Sequence, residues 1–239
     1  MLVLISGEGL TDVGVYDAGR FLVGPMAFFV DQWLERRIGY SLLEFKMFKF
    51  IPKSELKQRC KSLKPFSRRG KKTAAETRFF FNNARAMAQI AIECKQSENV
   101  DILAILFRDS DDAASCGRGL WQEKHQSMLD GFTREKFLYG VPMVPRPISE
   151  AWLLCALRER YQHCDRLENE SGRCGTANPL KKQLEAFLGK PATRDLLVGK
   201  IKQGDLAIHN ITMPSMMAFK NRCDEVLNLL RIGPSEECA

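Results

Sequence analysis

The 239-residue sequence predicts an α/β fold: a mostly parallel sheet of about four strands, helices on both faces, and a helical C-terminal part. Three observations predict it. Residues 2–5, Leu-Val-Leu-Ile, and residues 102–107, Ile-Leu-Ala-Ile-Leu-Phe, are short unbroken apolar runs, the pattern of strands buried on both faces. Long stretches of helical periodicity separate the strands, as parallel right-handed crossovers of about a dozen residues or more require. The strands all fall before residue 150, and short helices follow.

The first strand ends in Gly7-Glu8-Gly9-Leu10-Thr11-Asp12. Glycine on both sides of Glu8 permits a sharp turn or a close ligand approach. The residues offer an ordinary turn with a solvated glutamate or a site at the carboxyl end of a central strand. A polar loop to about Gly19 follows. Pro25 opens a helix to Ile38 with Phe28, Phe29, Trp33, Leu34 and Ile38 near helical spacing. Residues 42–51 partly alternate and stop at Pro52, which predicts a strand nearer the sheet edge. From Lys57 to Lys72 there are eight basic residues and no acid. This segment is either a solvated loop or an arm for a polyanion, with Phe66 as a stacking group. A helix over about 73–96 carries Phe79, Phe80, Ala84, Met87, Ile90 and Ala91 as its predicted buried stripe.

The second apolar strand runs into Arg108-Asp109-Ser110-Asp111-Asp112. A helix is expected over 120–136, then a short extended segment over 141–145. Arg146-Pro147-Ile148-Ser149-Glu150 leads into a helix over 151–160, with Ser149 as the expected N-cap and Glu150 in the first turn. Residues 163–178 read as loop, and helices are expected near 179–188, 193–202 and 214–231. The expected organisation is a catalytic core over 1–160, with the basic insertion at about 57–72, and a helical extension over 161–239 packed on it.

Composition bounds the function classes. Apolar residues make up 45% and charged residues 27%, ordinary for a soluble globular chain. No run approaches the roughly 18 apolar residues of a membrane helix. The first residues lack a basic leader and a cleavage site, so no secretory signal is expected. Eight scattered cysteines without a C-x-x-C pair fit reduced thiols in a cytoplasmic protein. His163, Cys164 and Cys174 match no common zinc spacing. A net charge of +7 permits a polyanionic partner.

Three strand ends deliver carboxylates: Glu8 with Asp12, Asp109 with Asp111 and Asp112, and Glu150. Parallel strands bring their carboxyl ends to one edge. Converging acids repel unless a proton or a hard cation offsets them. Oxygen-only ligands suit Mg²⁺, Mn²⁺ or Ca²⁺ rather than zinc.

The Gly7–Asp12 turn, Asp109-Ser110-Asp111 and Glu150-Ala151-Trp152-Leu153-Leu154 together resemble the toprim domain of topoisomerases and primases. They are most similar to small stand-alone bacterial toprim-like proteins and to the toprim domain of overcoming-lysogenisation-defect nucleases. The resemblance covers residues 2 to about 155. The family more often has Glu at the position of Asp12, and the span between the first two motifs is longer here. The resemblance implies Mg²⁺- or Mn²⁺-dependent phosphodiester chemistry. Glu8 would be a ligand or general acid/base, Asp109 and Asp111 ligands, Glu150 a ligand of a second ion, and Asp12 a helper directly or through water. The tyrosines at 16, 40, 139 and 161 stand in no topoisomerase-like domain, which leaves a nuclease of DNA or RNA. Lys64, Arg68, Arg69, Lys71, Lys72 and Arg146 are the candidate nucleic-acid contacts, Arg146 having a second reading as a partner for the acids. Similar nucleases work beside an ATPase in defence against phage. The chain has no Gly-x-x-x-x-Gly-Lys motif, so an ATP-driven step would need that partner. The alternatives are a non-catalytic binding module with a structural cation, and a phosphohydrolase of small substrates.

Overall fold

The computed structural model describes residues 1–7, 12–64, 75–110, 120–157, 164–170 and 179–232. Its centre is a four-stranded parallel sheet. Strand β1 (Leu2–Ser6) is followed by a separate hairpin, β2 (Gly14–Asp17) and β3 (Arg20–Val23). Next come helix α1 (Pro25–Ile38), β4 (Phe48–Phe50), α2 (Lys53–Ser62), α3 (Ala75–Glu98) and β5 (Ile102–Phe107). They are followed by α4 (Leu120–Arg134), β6 (Gly140–Met143) and α5 (Ser149–Leu157). The chain then runs through α6 (Leu180–Leu188), α7 (Arg194–Gln203) and α8 (Pro214–Leu229), with short 3₁₀ turns at Cys164–Asn169 and Ile208–Asn210. Strand order is β4-β1-β5-β6. β1 pairs with both β4 and β5, with Ile5 opposite Phe50 and Ile105.

Side-chain alternation sends the two faces of the sheet into two apolar clusters. Val3, Ile5, Leu103, Ile105, Val141 and Met143 pack with residues of α1, α5 and α6–α8. Leu4, Ile102, Ala104 and Leu106 pack with α2, α3 and α4. Both inner strands are therefore covered on both sides, as their uninterrupted apolar runs predict. Among the described residues no helix is long and apolar enough to cross a membrane.

Several elements differ from the sequence expectation. The stretch expected to loop as far as Gly19 forms the β2–β3 hairpin. Ala18 (φ 45°) and Gly19 (φ 79°) both take left-handed conformations, as a two-residue I′ turn requires. The strand expected over 42–51 shrinks to Phe48–Phe50, because Asp31 organises a turn before it. The Asp31 carboxylate accepts from Ser41 Oγ at 2.6 Å, Leu42 N at 2.8 Å and Leu43 N at 3.1 Å. β4 does lie at a sheet edge. The basic segment begins as helix α2. Within it Arg59 forks onto Glu93 with two bonds of 2.6 Å. On α3, Phe80, Ala84, Met87, Ile90 and Ala91 are buried as expected, but Phe79 is 40% exposed, one residue off the buried stripe. Cys155 and Cys164 are joined in a disulfide, against the expectation of thiols throughout. Spacing in sequence could not show that the end of α5 returns to within 5.5 Å of Cys164, Cα to Cα. The bond also removes Cys164 as a zinc thiolate; His163 and Cys174 lie outside the described residues. Cys60, Cys94 and Cys223 are free thiols.

Candidate functional site

All four strands are parallel, so Gly7, Phe50, Arg108 and Val144, each following or ending a strand, share one edge of the sheet. Asp12 comes back to this edge through backbone bonds to the start of α1. Its carbonyl accepts from Met26 N at 2.9 Å, and Val13 O accepts from Gly24 N at 2.9 Å. Gly24 has no room for a side chain, since a Cβ there would stand 2.3 Å from Asp12 O.

Ser149 gathers the acids. Its backbone N–H donates to Asp109 Oδ1 at 3.0 Å, and its hydroxyl donates to Asp12 Oδ1 at 2.8 Å. Glu150 Oε2 lies 3.4 Å from the same hydroxyl oxygen. A hydroxyl has one proton, and the shorter contact assigns it to Asp12. The sequence suggests Ser149 as an N-cap; in the structure it is the first residue of α5 and its hydroxyl proton is committed across the site. Asp12, Asp109 and Glu150 are each half-buried, whereas Ser149 is buried. Glu150 stands in the first turn of α5, where the helix dipole favours an anion.

The loop after β5 is clamped from below. Ser110 N donates to the carbonyls of Pro145 (3.3 Å) and Pro147 (3.1 Å), and its hydroxyl donates to Pro147 O at 3.2 Å. These bonds tie the Asp109 turn to the segment that leads into Ser149. Lys124 is fully buried and its ammonium donates to Ser110 O. Arg108, also fully buried, donates to Phe107 O at 2.7 Å and to Asn83 Oδ1 at 3.1 Å. Two buried basic side chains thus brace the chain around the Asp109–Ser110 turn, Arg108 through Phe107 and Asn83 and Lys124 through Ser110. Arg146 reaches Glu168 Oε2 at 3.9 Å. Glu168 is itself held by Ser215 N at 2.7 Å.

No family model, no curated protein and no solved structure matches this chain.

Of the predicted acids, the structure brings Asp12, Asp109 and Glu150 to one serine. Glu8 and Asp111 lie outside the described residues, as do Arg68, Arg69, Lys71 and Lys72. Among the described residues no group of three or more His, Cys, Asp and Glu is close enough to hold a metal ion. Among the described residues, the groups gathered on Ser149 are oxygen donors, three carboxylates and a hydroxyl, the type a hard cation takes. Lys64 is exposed just beyond α2, and its carbonyl accepts from Arg85 at 3.1 Å. Ser149, Ser110, Arg108 and Lys124 escape sequence reasoning as site residues. A basic residue next to Asp109 is the one visible signal, for Arg108.

Proposed function

We propose that the chain is a metal-dependent nuclease that hydrolyses phosphodiester bonds of DNA or RNA at the carboxyl edge of its sheet. The observation that carries this reading is the meeting of Asp12 and Asp109 on Ser149, beside Glu150. The toprim-like motifs in the sequence add the expectation that Glu8 and Asp111 complete the set.

In this reading Asp12, Asp109 and Glu150, with Glu8 and Asp111, hold Mg²⁺ or Mn²⁺. Bound there, the cation supplies Lewis-acid chemistry, acidifying water and offsetting charge on the phosphate. Ser149 fixes the rotamers of Asp109 and Asp12 so that their remaining lone pairs point consistently. Glu8 moves the proton of the attacking water. Arg146 and the basic segment from Lys64 to Lys72 hold the substrate backbone. A partner ATPase and a role in defence against phage belong to this proposal through the motif resemblance alone.

A second reading has an observation of its own. Oδ1 of Asp12 and Oδ1 of Asp109 each already accept a hydrogen bond from Ser149, so the acids also work as a latch for α5 in a binding module. Incubation with plasmid, single-stranded DNA and RNA under Mg²⁺, Mn²⁺ or EDTA separates the two. Cleavage that requires the cation and is lost in Asp109→Asn supports the nuclease. Binding without cleavage of any of the three substrates supports the module.

A further inference from the structure

The β2–β3 hairpin places an aromatic cluster at the same sheet edge as the acids. Tyr16 and Phe21 are directly paired across the hairpin, with ring centroids 5.6 Å apart. Both rest on Phe50, the last residue of β4: Phe21 stacks on it at 5.5 Å and 11°, and Tyr16 lies at 6.1 Å. Phe50 is buried and Phe21 half-buried, whereas Tyr16 is 43% exposed. The result is a rigid phenol ring backed by two others, with its outer side in water. Tyr16 is four residues from Asp12, at most about 14 Å along the chain.

Three residues beyond Phe50, α2 begins. Lys53, Lys57 and Lys61 are spaced i, i+4, i+8, so they form one exposed stripe along the helix. Glu55 is the one acid of the helix. Arg20, at the hairpin turn, faces Asp17 in register, so the turn itself is close to neutral. The edge therefore carries a stacking ring and the carboxylates of the proposed site, and a line of cations starts there at Lys53 and continues along α2. A duplex hides its base faces, while an unpaired strand offers them, and base–aromatic stacking with a cationic track is how single strands are held.

We propose that Tyr16 is a base-stacking subsite for single-stranded nucleic acid, whose backbone follows Lys53, Lys57 and Lys61 of α2. The proposal deepens the nuclease reading, on which it rests, by naming unpaired strands as the substrate class.

The test is made in EDTA, so that no cleavage is involved. An oligonucleotide single strand carrying one 2-aminopurine, and its duplex, are titrated against wild type, Tyr16→Phe and Tyr16→Leu, each checked by thermal melting. Wild type and Tyr16→Phe should bind the single strand and quench the probe. Tyr16→Leu keeps an apolar side chain but has no π face; it should bind the single strand about tenfold more weakly, without quenching, and the duplex as wild type does. Equal single-strand affinity and quenching in Tyr16→Leu overturns the subsite, as does an equal loss for single strand and duplex, or no single-strand binding by wild type. Stacking without metal-dependent cleavage would remove the nuclease and leave the subsite standing. Asp109-dependent cleavage with unchanged binding in Tyr16→Leu would do the reverse.

Discussion

Ser149 donates its hydroxyl to Asp12 at 2.8 Å, across 137 positions of sequence, and so joins the loop after β1 to the start of α5. Without the hydroxyl, the half-buried Asp12 carboxylate loses this bond while the Asp109 bond, made by the backbone, remains. Ser149→Ala should therefore cost about 1 kcal/mol of stability and reduce cleavage more than nucleic-acid binding. Ser149→Thr, which keeps the hydroxyl, should restore most of both. Urea denaturation and single-turnover cleavage check this; an alanine variant that cuts at the wild-type rate would show the bridge to be idle.

Asp109→Asn keeps Oδ1 as an acceptor for Ser149 N–H, removes the charge and turns the second oxygen into an N–H donor. The fold should be retained, cation-dependent cleavage should be abolished, and nucleic-acid affinity in EDTA should hold or rise, because one negative charge near the phosphates has gone. Isothermal titration with Mn²⁺ should show weaker uptake than wild type. A correctly folded variant with wild-type cleavage would end the assignment.

The sheet is legible in the sequence because β5 is apolar at every position and β1 at all but its last, Ser6, a consequence of burial on both faces. The parallel pairing of β1, β5 and β6 then brings the loops that carry Asp12, Asp109 and Glu150 to one edge. The hairpin is not legible in the same way. Val15-Tyr16-Asp17 and Phe21-Leu22-Val23 are too short to show a clear period, and their turn depends on Ala18 adopting a positive φ that alanine rarely takes. The 42–51 strand fails for a non-local reason: Asp31, more than ten residues earlier, supplies hydrogen bonds that a strand partner would otherwise make. Ser149 is visible only as a helix start, because a serine's long-range partner leaves no trace in its neighbours. Lys124 gives no sign at all, since only the packed structure shows a lysine buried against Ser110.

Gly24 fits where it does because it lacks a side chain. A Cβ there would meet the backbone of Asp12 at 2.3 Å and that of Val13 at 2.7 Å, and backbone cannot swing aside as a flexible side chain can. Gly24→Ala should destabilise by about 1–3 kcal/mol and displace Asp12 from Ser149, so cleavage should fall further than in Ser149→Ala. Gly199 is the control, since nothing lies within 4 Å of an added Cβ there. Gly199→Ala, in the interior of α7, should be neutral or stabilise slightly. Equal melting temperatures for the two variants would contradict the packing account.

Neutralising Arg68, Arg69, Lys71 and Lys72 together should weaken duplex binding and flatten its salt dependence, the slope falling by about 0.9 for each phosphate no longer neutralised. Cleavage at saturating substrate should change little, because none of the four is assigned to the chemistry. Affinities measured across a salt series decide it. Unchanged affinity with an unchanged slope would leave the segment without a role in binding.

Lys220 supplies a pH signature of folding that does not involve the site. Its side chain is buried in α8, donating to Ile211 O at 2.7 Å and lying 4.9 Å from the centre of the Trp33 ring. Burial, reinforced by the positive charge of Arg36, brings its pKa down from 10.5 to about 8. Below about pH 8 the group is charged in both folded and unfolded chains, and the cost of burying the charge is fully present. Between about pH 8 and 10.5 the unfolded chain still binds the proton and the folded chain does not. More protons bound in the unfolded state means that stability rises with pH through this window, by up to about 3 kcal/mol from this group. Lys220→Met keeps the length of the stem without the charge. It should be more stable than wild type at pH 7 and should lose this rise, so the two stability curves should converge toward pH 10.5. Urea midpoints for both proteins across the range test it, and parallel curves would show that Lys220 keeps its ordinary pKa in the folded protein.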